Sequence, residues 1–517
     1  MTREQIKRNV LHSTLSGYGR LVVRMGLGLV TFRLMYQGLS EEQFGFWSLL
    51  WAIFGYGILL DFGFGYAAQK RVAELMVRKD WDRMSEVLSS IFYFYCVAAA
   101  VIVVLGVLGS NPLIDLFRIS PEHREEYRRI LIVFLLGIGL AFPLGIFPEV
   151  LQGQQRIVAA NNLSVLSTVA NFLCVALVVW AGLSFTVLVV LSLLCMLVPY
   201  LIAARLAFTR MPGVRILPRH FSWSTMLDTG RFSLFAYANT LSNVLRNKAD
   251  QPIISSIIGV AHVAPFQAGS KVGEMFGQIT RQIADVLSPT AAHLHASGDK
   301  AGLHAMFTSG LRFSVLAASP VYVLCAAYMD GLIRLLTGVR NPSSEMVWAG
   351  QLLLFWYYSL VLTHWVFKRM FMMAGQERRM MWQGVAEAAL NVTLSLSLTF
   401  WLRSYLGVAW GSVIPTFLFG WGLLWGWAAR EVGLSRWQLF RRTILPTWIA
   451  ILPMILVAVG LRNQPWWDSG SNLFLLLAEG ACVGLVGLAS LWLFALTHEE
   501  HVRYANQWTA RRKRSTP

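Results

Sequence analysis

Charge is what this sequence has least of. Only 14% of its 517 residues are Asp, Glu, Lys or Arg, where a soluble domain carries about a quarter. Acidic residues are the scarcer kind, 27 against 44 basic ones. So little charge cannot cover the surface of a water-soluble chain of this length, and lipid must replace water around most of it. Cysteine pairs are missing too. Cys96, Cys174, Cys195, Cys325 and Cys482 stand singly inside apolar runs, without metal-ligand or redox spacing, and read as small core hydrophobes. A phosphate-binding loop of the ATPase type is absent, so ATP does not drive the protein directly. The opening Met1-Thr2-Arg3-Glu4-Gln5-Ile6-Lys7-Arg8 runs into an apolar stretch without a small-residue cleavage site, which speaks against a cleavable signal peptide. No loop is long enough for a lid, and no catalytic set gathers on one membrane face. The expectation is therefore a non-enzyme with no cofactor and no metal. Asp80-Trp81-Asp82 has the shape of a nucleotide-sugar enzyme's metal triplet, but its loop is too short to fold around a nucleotide. His293, His295 and His304 read as solvated loop residues.

What the sequence has is apolar runs, each about 20 residues, enough for a helix to cross a bilayer. They lack the apolar–polar alternation of a membrane β-strand. The prediction is an all-α polytopic membrane protein of about fourteen spans. These lie at roughly 12–35, 44–67, 87–108, 130–151, 158–181, 184–204, 230–257, 264–289, 308–328, 347–372, 381–401, 407–429, 444–461 and 474–496.

Basic residues orient them. Lys70, Arg71, Arg78, Lys79 and Arg83 share a side with Arg205, Arg210, Arg215 and Arg219, with Arg378 and Arg379, and with Arg430, Arg436, Arg441 and Arg442. Arg3, Lys7 and Arg8 fall on the same side, as do Arg511, Arg512, Lys513 and Arg514. Both termini are expected in the cytoplasm. The opposite loops are poorer in basic residues; between the third and fourth spans, Arg118, Arg124, Arg128 and Arg129 are diluted by Asp115, Glu122, Glu125 and Glu126. The net charge of +17 thus reads as topology plus attraction to anionic lipid heads, with no nucleic-acid partner.

An internal repeat is legible. Gly153-Gln154-Gln155-Arg156 matches Gly375-Gln376-Glu377-Arg378 at an offset of 222, which also carries Met84 to Met306 and Arg24 to Arg246. An even number of spans separates the copies, so the repeat is parallel, a layout of secondary transporters with a site at the repeat interface. The expected organisation is an N-lobe of six helices over 1–208, a C-lobe over 209–432, a helix pair over 433–496 and a basic cytoplasmic tail over 497–517.

Ionisable residues inside spans cost about 2.5–3.5 kcal/mol each and normally face a cavity. In the first span Ser13, Gly17, Arg20, Arg24, Gly28 and Thr31 share one helical face. Arg20 and Arg24 lie roughly 12 and 18 Å in, too deep for easy snorkelling. The seventh span has Asn239, Asn243, Arg246 and Asp250, with Lys248 to one side. The eighth has Gln267, Lys271, Glu274, Gln278, Arg281 and Asp285, and the second has a single charge, Asp61. Gln383, Glu387 and Asn391 share a face of the eleventh, and His364 and Lys368 lie a turn apart in the tenth. Charges at three- and four-residue spacing can equally form structural ion pairs, as Lys271, Glu274, Arg281 and Asp285 could, or Arg246 with Asp250. Nothing on the first helix compensates Arg20 and Arg24. A low-dielectric cavity with surplus positive charge suits an anion, and guanidinium forks suit phosphate oxygens.

The stretch from Arg8-Asn9-Val10 to Gly45-Phe46-Trp47, then Leu59-Leu60-Asp61-Phe62-Gly63-Phe64-Gly65 and Ala67-Ala68, resembles the O-antigen type polysaccharide transporters of the multidrug/oligosaccharidyl-lipid/polysaccharide exporter superfamily. Gly153-Gln154-Gln155-Arg156 fits the same pattern. The resemblance implies a V-shaped, two-lobe flippase that rocks about a cavity lined by helices one, two, seven and eight. It would carry undecaprenyl-pyrophosphate-linked oligosaccharide from the cytoplasmic to the periplasmic leaflet of a bacterial inner membrane, beside polymerase or ligase partners. On that reading Arg20, Arg24, Arg246 and Lys248 take the pyrophosphate. Asn239, Asn243, Gln267, Lys271 and Gln278 face sugar, and Asp61, Asp250, Glu274 and Asp285 are the candidates for ion coupling. A lipid II flippase also has fourteen helices and a final pair forming a lipid-tail groove, but the single Asp61 closing the second span is more typical of the O-antigen type. An ion-coupled exporter of drugs or small metabolites is the other reading, and it predicts surplus acid in the cavity.

Overall fold

The computed structural model describes residues 3–496 except 62, 231–233, 463 and 465–472; side chains are described from residue 19, except also at 58, 60, 66, 228–240, 285, 286, 288–290, 292, 296 and 473. Every regular element among the described residues is helical. Ten helices are long and apolar enough to cross a membrane, and they coincide with the third to sixth and the ninth to fourteenth expected spans. The four that fall short are the first, second, seventh and eighth. Their helices are Arg3–Gly38, Glu41–Gly57, the pair Leu234–Lys248 and Asp250–Ile257, and Val263–Ala296. Their intramembrane charge and, in the second and seventh, early helix breaks cause the shortfall.

The chain forms two compact units. One comprises Met1–Gln267, Leu336–Gly338 and Gly384–Gly411; the other comprises Ala268–Leu335, Val339–Gln383 and Ser412–Pro517. In the first unit, Arg3–Gly38 packs along Ile157–Trp180, and Trp81–Leu108 along Arg124–Leu144. A buried cluster around Val72, Met84, Leu88, Ile91, Val150 and Leu151 joins the short helices Phe64–Arg78 and Ile146–Gly153 to their neighbours. In the second unit, Lys300–Ala327 packs on Ser344–Thr363, and Phe307, Leu311, Phe367 and Trp425 lie in one core. The final pair, Leu452–Arg462 and Leu473–Ser490, packs on this ninth-span helix, with Tyr328, Met454 and Val483 buried together. Arg312 donates to the carbonyl of Ala495 at 2.7 Å, placing its charge at the negative end of the last helical segment.

The repeated motif follows a broken span in both units, but its side chains are used differently. Gly153 lets its helix lie against Phe64–Arg78: a Cβ there would sit 2.6 Å from the Gln69 carbonyl oxygen. Gln154 Nε2 donates to the Ala207 carbonyl at 2.8 Å, and Arg156 Nη1 to that of Leu206 at 2.7 Å. Both thus close the open carbonyls ending the sixth-span helix. In the second unit Gln376 Nε2 reaches Glu431, the last residue of Trp425–Glu431, at 3.4 Å. The fourth and tenth spans are each broken before the motif, into Arg124–Leu144 and Ile146–Gly153, and into Ser344–Thr363 and Trp365–Met373.

Several sequence features resolve locally. The charged third-to-fourth loop neutralises itself: Arg124 binds Asp115 at 2.8 Å, and Glu125 takes Arg128 at 2.9 Å and Arg129 at 3.2 Å. Asp80 caps Trp81–Leu108 by accepting from the Arg83 amide at 3.0 Å. The cysteines are less isolated than their spacing suggests, because the antiparallel fifth and sixth spans bring the Cys174 and Cys195 sulfurs to 3.4 Å as free thiols. The tail 497–517 lies outside the described residues.

Gly153→Leu forces a side chain into backbone, and is expected to cost about 1–3 kcal/mol by overpacking, read as a lower melting temperature in detergent. Gly460, with nothing within 4 Å of its Cβ position, is the control: Gly460→Ala should leave melting unchanged or slightly raised.

Candidate functional site

The fourth span breaks where Pro143 removes a helical N–H and Gly145 follows, so the chain bends and restarts at Ile146. The second span breaks differently. Glu41–Gly57 ends in one turn of 3-10 helix, Ile58–Asp61, and the next helix opens after Gly63 at φ 79, a left-handed backbone that glycine adopts freely. That turn aims Asp61 back over the first turn of Phe64–Arg78, where Oδ1 accepts from the Gly65 amide at 3.0 Å. The Tyr95 hydroxyl, from the third span, donates to the same oxygen.

The two breaks face each other across a cavity of about 430 Å³ in the first unit. Its polar wall is Arg20, Asp61, Tyr95, Glu149, Gln152 and Tyr200, and Phe54, Phe142 and Ile146 supply apolar surface. Glu149 reaches it from the restarted helix, with Gln152 Nε2 donating to its Oε2 at 3.3 Å. A Cβ on Gly65 would meet both the Asp61 carboxylate, at 3.4 Å, and the Glu149 stem, at 3.5 Å. The acids are therefore near neighbours, on either side of a residue without a side chain. Arg20 is exposed, as is Arg24 one turn further along Arg3–Gly38.

A second charged group lies in the same unit. Arg246 Nη1 pairs with Glu387 Oε1 at 3.5 Å, with side chains only 12% and 1% exposed. Arg246 Nη2 also donates to Asn243 Oδ1 at 3.3 Å. The pairing of Arg246 with Asp250 allowed by spacing is thus replaced by one with the eleventh span, because the helix bends at Ala249 between them. Asp250 Oδ1 is buried without a hydrogen-bond partner among the described residues. Lys248 is exposed, and its stem packs where Gly55 leaves room, 3.4 Å from that residue's Cβ position.

In the eighth span, Lys271 pairs with Glu274 at 2.9 Å and Gln278 donates to the same carboxylate at 3.3 Å. This is the local ion-pair arrangement that the spacing allowed. Arg281 is exposed and Gln267 half-buried. The side chains of Asn239 and Asp285 lie outside the described residues. The structure therefore gathers Arg20 with Asp61, Asn243 with Arg246, and Lys271 with Glu274 and Gln278. Sequence reasoning missed Tyr95, Glu149, Gln152 and Tyr200 as cavity residues, and Glu387 as the partner of Arg246. The available signal was Glu149 itself, an acid at the end of an apolar run four residues before Gly153-Gln154-Gln155-Arg156.

Known proteins match this architecture. The lipid II flippase MurJ in an inward closed conformation aligns over 93% of this chain and 98% of its own, at 14% identity and a TM-score of 0.70. An inward-facing multidrug resistance MATE family transporter of the MOP superfamily aligns over 81% of this chain and 99% of its own, at 16% identity and a TM-score of 0.67. A MOP superfamily transporter from Pyrococcus furiosus, reported to have a binding pocket of reversed polarity, aligns over 84% and 97%, at 15% identity and a TM-score of 0.57. Curated proteins offer no sequence match. At these identities the structural likeness establishes the fold alone, the polytopic helical fold shared with these proteins. Residues 6–295, more than half of the chain, match the family described as "Polysaccharide biosynthesis protein", and this multi-pass membrane protein belongs to that family.

Proposed function

We propose that the protein is a flippase, not an enzyme. It moves undecaprenyl-pyrophosphate-linked oligosaccharide from the cytoplasmic to the periplasmic leaflet of a bacterial inner membrane by alternating access of two lobes, 1–208 and 209–432. Both termini lie in the cytoplasm. The observation that carries this reading is the exposure of Arg20 and Arg24 on a helix deep in the bilayer. Lipid would not tolerate two guanidinium groups there, so that face meets an aqueous path. Membership of a polysaccharide biosynthesis family supplies the cargo class. An anionic diphosphate on a lipid is the part of that cargo which arginines suit.

Arg20 and Arg24 take the pyrophosphate on this reading, with Lys248 and Arg246 as further cationic contacts. Arg246 is poised between Glu387 and Asn243, so phosphate oxygens would compete with a carboxylate for it. Asn243, Gln267, Lys271 and Gln278 are proposed to face sugar, as is Asn239, and Asp61, Asp250, Glu274 and Asp285 to take part in ion coupling. Surplus acid in the path would favour a cationic drug instead. The exposed arginines of the first span weigh against that cargo.

Binding of undecaprenyl pyrophosphate to the purified protein, against a lipophilic cation, tests the reading. The pyrophosphate lipid should bind preferentially, and Arg24→Ala should weaken it about tenfold or more, the worth of one charge-assisted contact. Arg246→Ala should weaken it too; because that change strands the buried Glu387, Arg246→Lys and a melting curve are measured alongside. Preference for the cation, or pyrophosphate binding indifferent to both arginines, would overturn the proposal.

A further inference from the structure

We propose that the cavity between the broken second and fourth spans is a sugar subsite, in which Asp61 and Glu149 accept hydrogen bonds from hydroxyls of the residue attached to the pyrophosphate. This rests on the function proposed above and adds the place and polarity of the sugar.

Size decides first. An ion coupled at Asp61 would fill almost none of a space of about 430 Å³, and that volume, within the range of about 300–1,000 Å³ typical of small-molecule sites, leaves room for a larger group beside it. Charge decides next. Two carboxylates on either side of Gly65 repel phosphate from the floor of this cavity, so the diphosphate belongs on the Arg20 side. Arg24, about one helical turn further along, extends that cationic edge. What remains beside the acids must be the next group in the substrate, its first sugar.

The hydrogen-bonding inventory agrees. A carboxylate only accepts, and a pyranose edge presents hydroxyl donors. Asp61 is fixed in place by the Tyr95 hydroxyl and the Gly65 amide. Glu149 is touched by Gln152 alone among the described residues, which leaves acceptor capacity for a hydroxyl. Gln152 and Arg20 supply donors, and Tyr200, with its ring and hydroxyl, suits the mixed apolar and polar faces of a sugar. No other titratable or charged residue lines the cavity among the described residues.

The test compares binding of undecaprenyl pyrophosphate with the same lipid bearing N-acetylglucosamine or galactose, to the full chain in nanodiscs. The readout is the ratio of dissociation constants with and without sugar, in the native protein, Glu149→Gln and Gln152→Leu, each checked for folding by melting. At least one sugar should tighten native binding about fivefold or more, as one or two net hydrogen bonds would, and both variants should bring the ratio close to one. A native ratio near one for both sugars overturns the subsite, as does a sugar gain that persists in both variants. Failure of the native protein to bind any of these lipids would instead sink the flippase reading on which the subsite rests.

Discussion

Hydrocarbon tolerates a charge only where something else holds it, and most of this molecule's organisation follows from that constraint. Several of the described charges show how they are held. Some are neutralised within a few residues, as Glu125 is by Arg128 and Arg129 or Glu274 by Lys271. Some close the open carbonyls of a helix end, as Arg156 does at Leu206 and Arg312 at Ala495. A few face a cavity, as Arg20, Asp61 and Glu149 do. The buried pair of Arg246 and Glu387 shows the same rule at its most severe, since removing either partner strands the other in a low dielectric.

The two halves share a scaffold and differ in chemistry. Both break the span that precedes the Gly-Gln-x-Arg motif, and in both the motif glutamine reaches the end of the sixth helix of its half. In the first half that bond closes an open carbonyl, and in the second it runs to the Glu431 carboxylate. The turn and cap geometry repeats at an offset of 219 to 220, as the caps Asp80 and Asp299 show.

Much of the fold was legible because hydrophobic run length is a one-dimensional signal. Among the described residues, ten expected spans recur as helices able to cross a membrane, and the four that fall short include the first, seventh and eighth, whose polar stripes the sequence already showed. The site was legible only in part. Asp61 stood out as the single charge of an apolar run, and its link to Glu149 did not, because 88 positions separate them and no periodicity joins two different helices. The partner of Arg246 was missed for the same reason: Asp250 lies one turn away in sequence, but the bend at Ala249 and the approach of the eleventh span favour Glu387.

By itself, then, the sequence determined that the chain is a set of membrane helices, roughly where along it they lie, and which of them carry charge. Each of those properties depends on residues near one another along the chain. Only the tertiary structure decided which charges meet. The placement of Tyr95 and Gly65 on Asp61, the approach of Glu149, the seating of Arg156 on the sixth span and the pairing of Arg246 with Glu387 depend on helix breaks at Gly63, Pro143 and Ala249. A sharp break of about 20–30° moves a side chain by about 4–5 Å at a distance of two turns, and no local pattern of residues records where it lands.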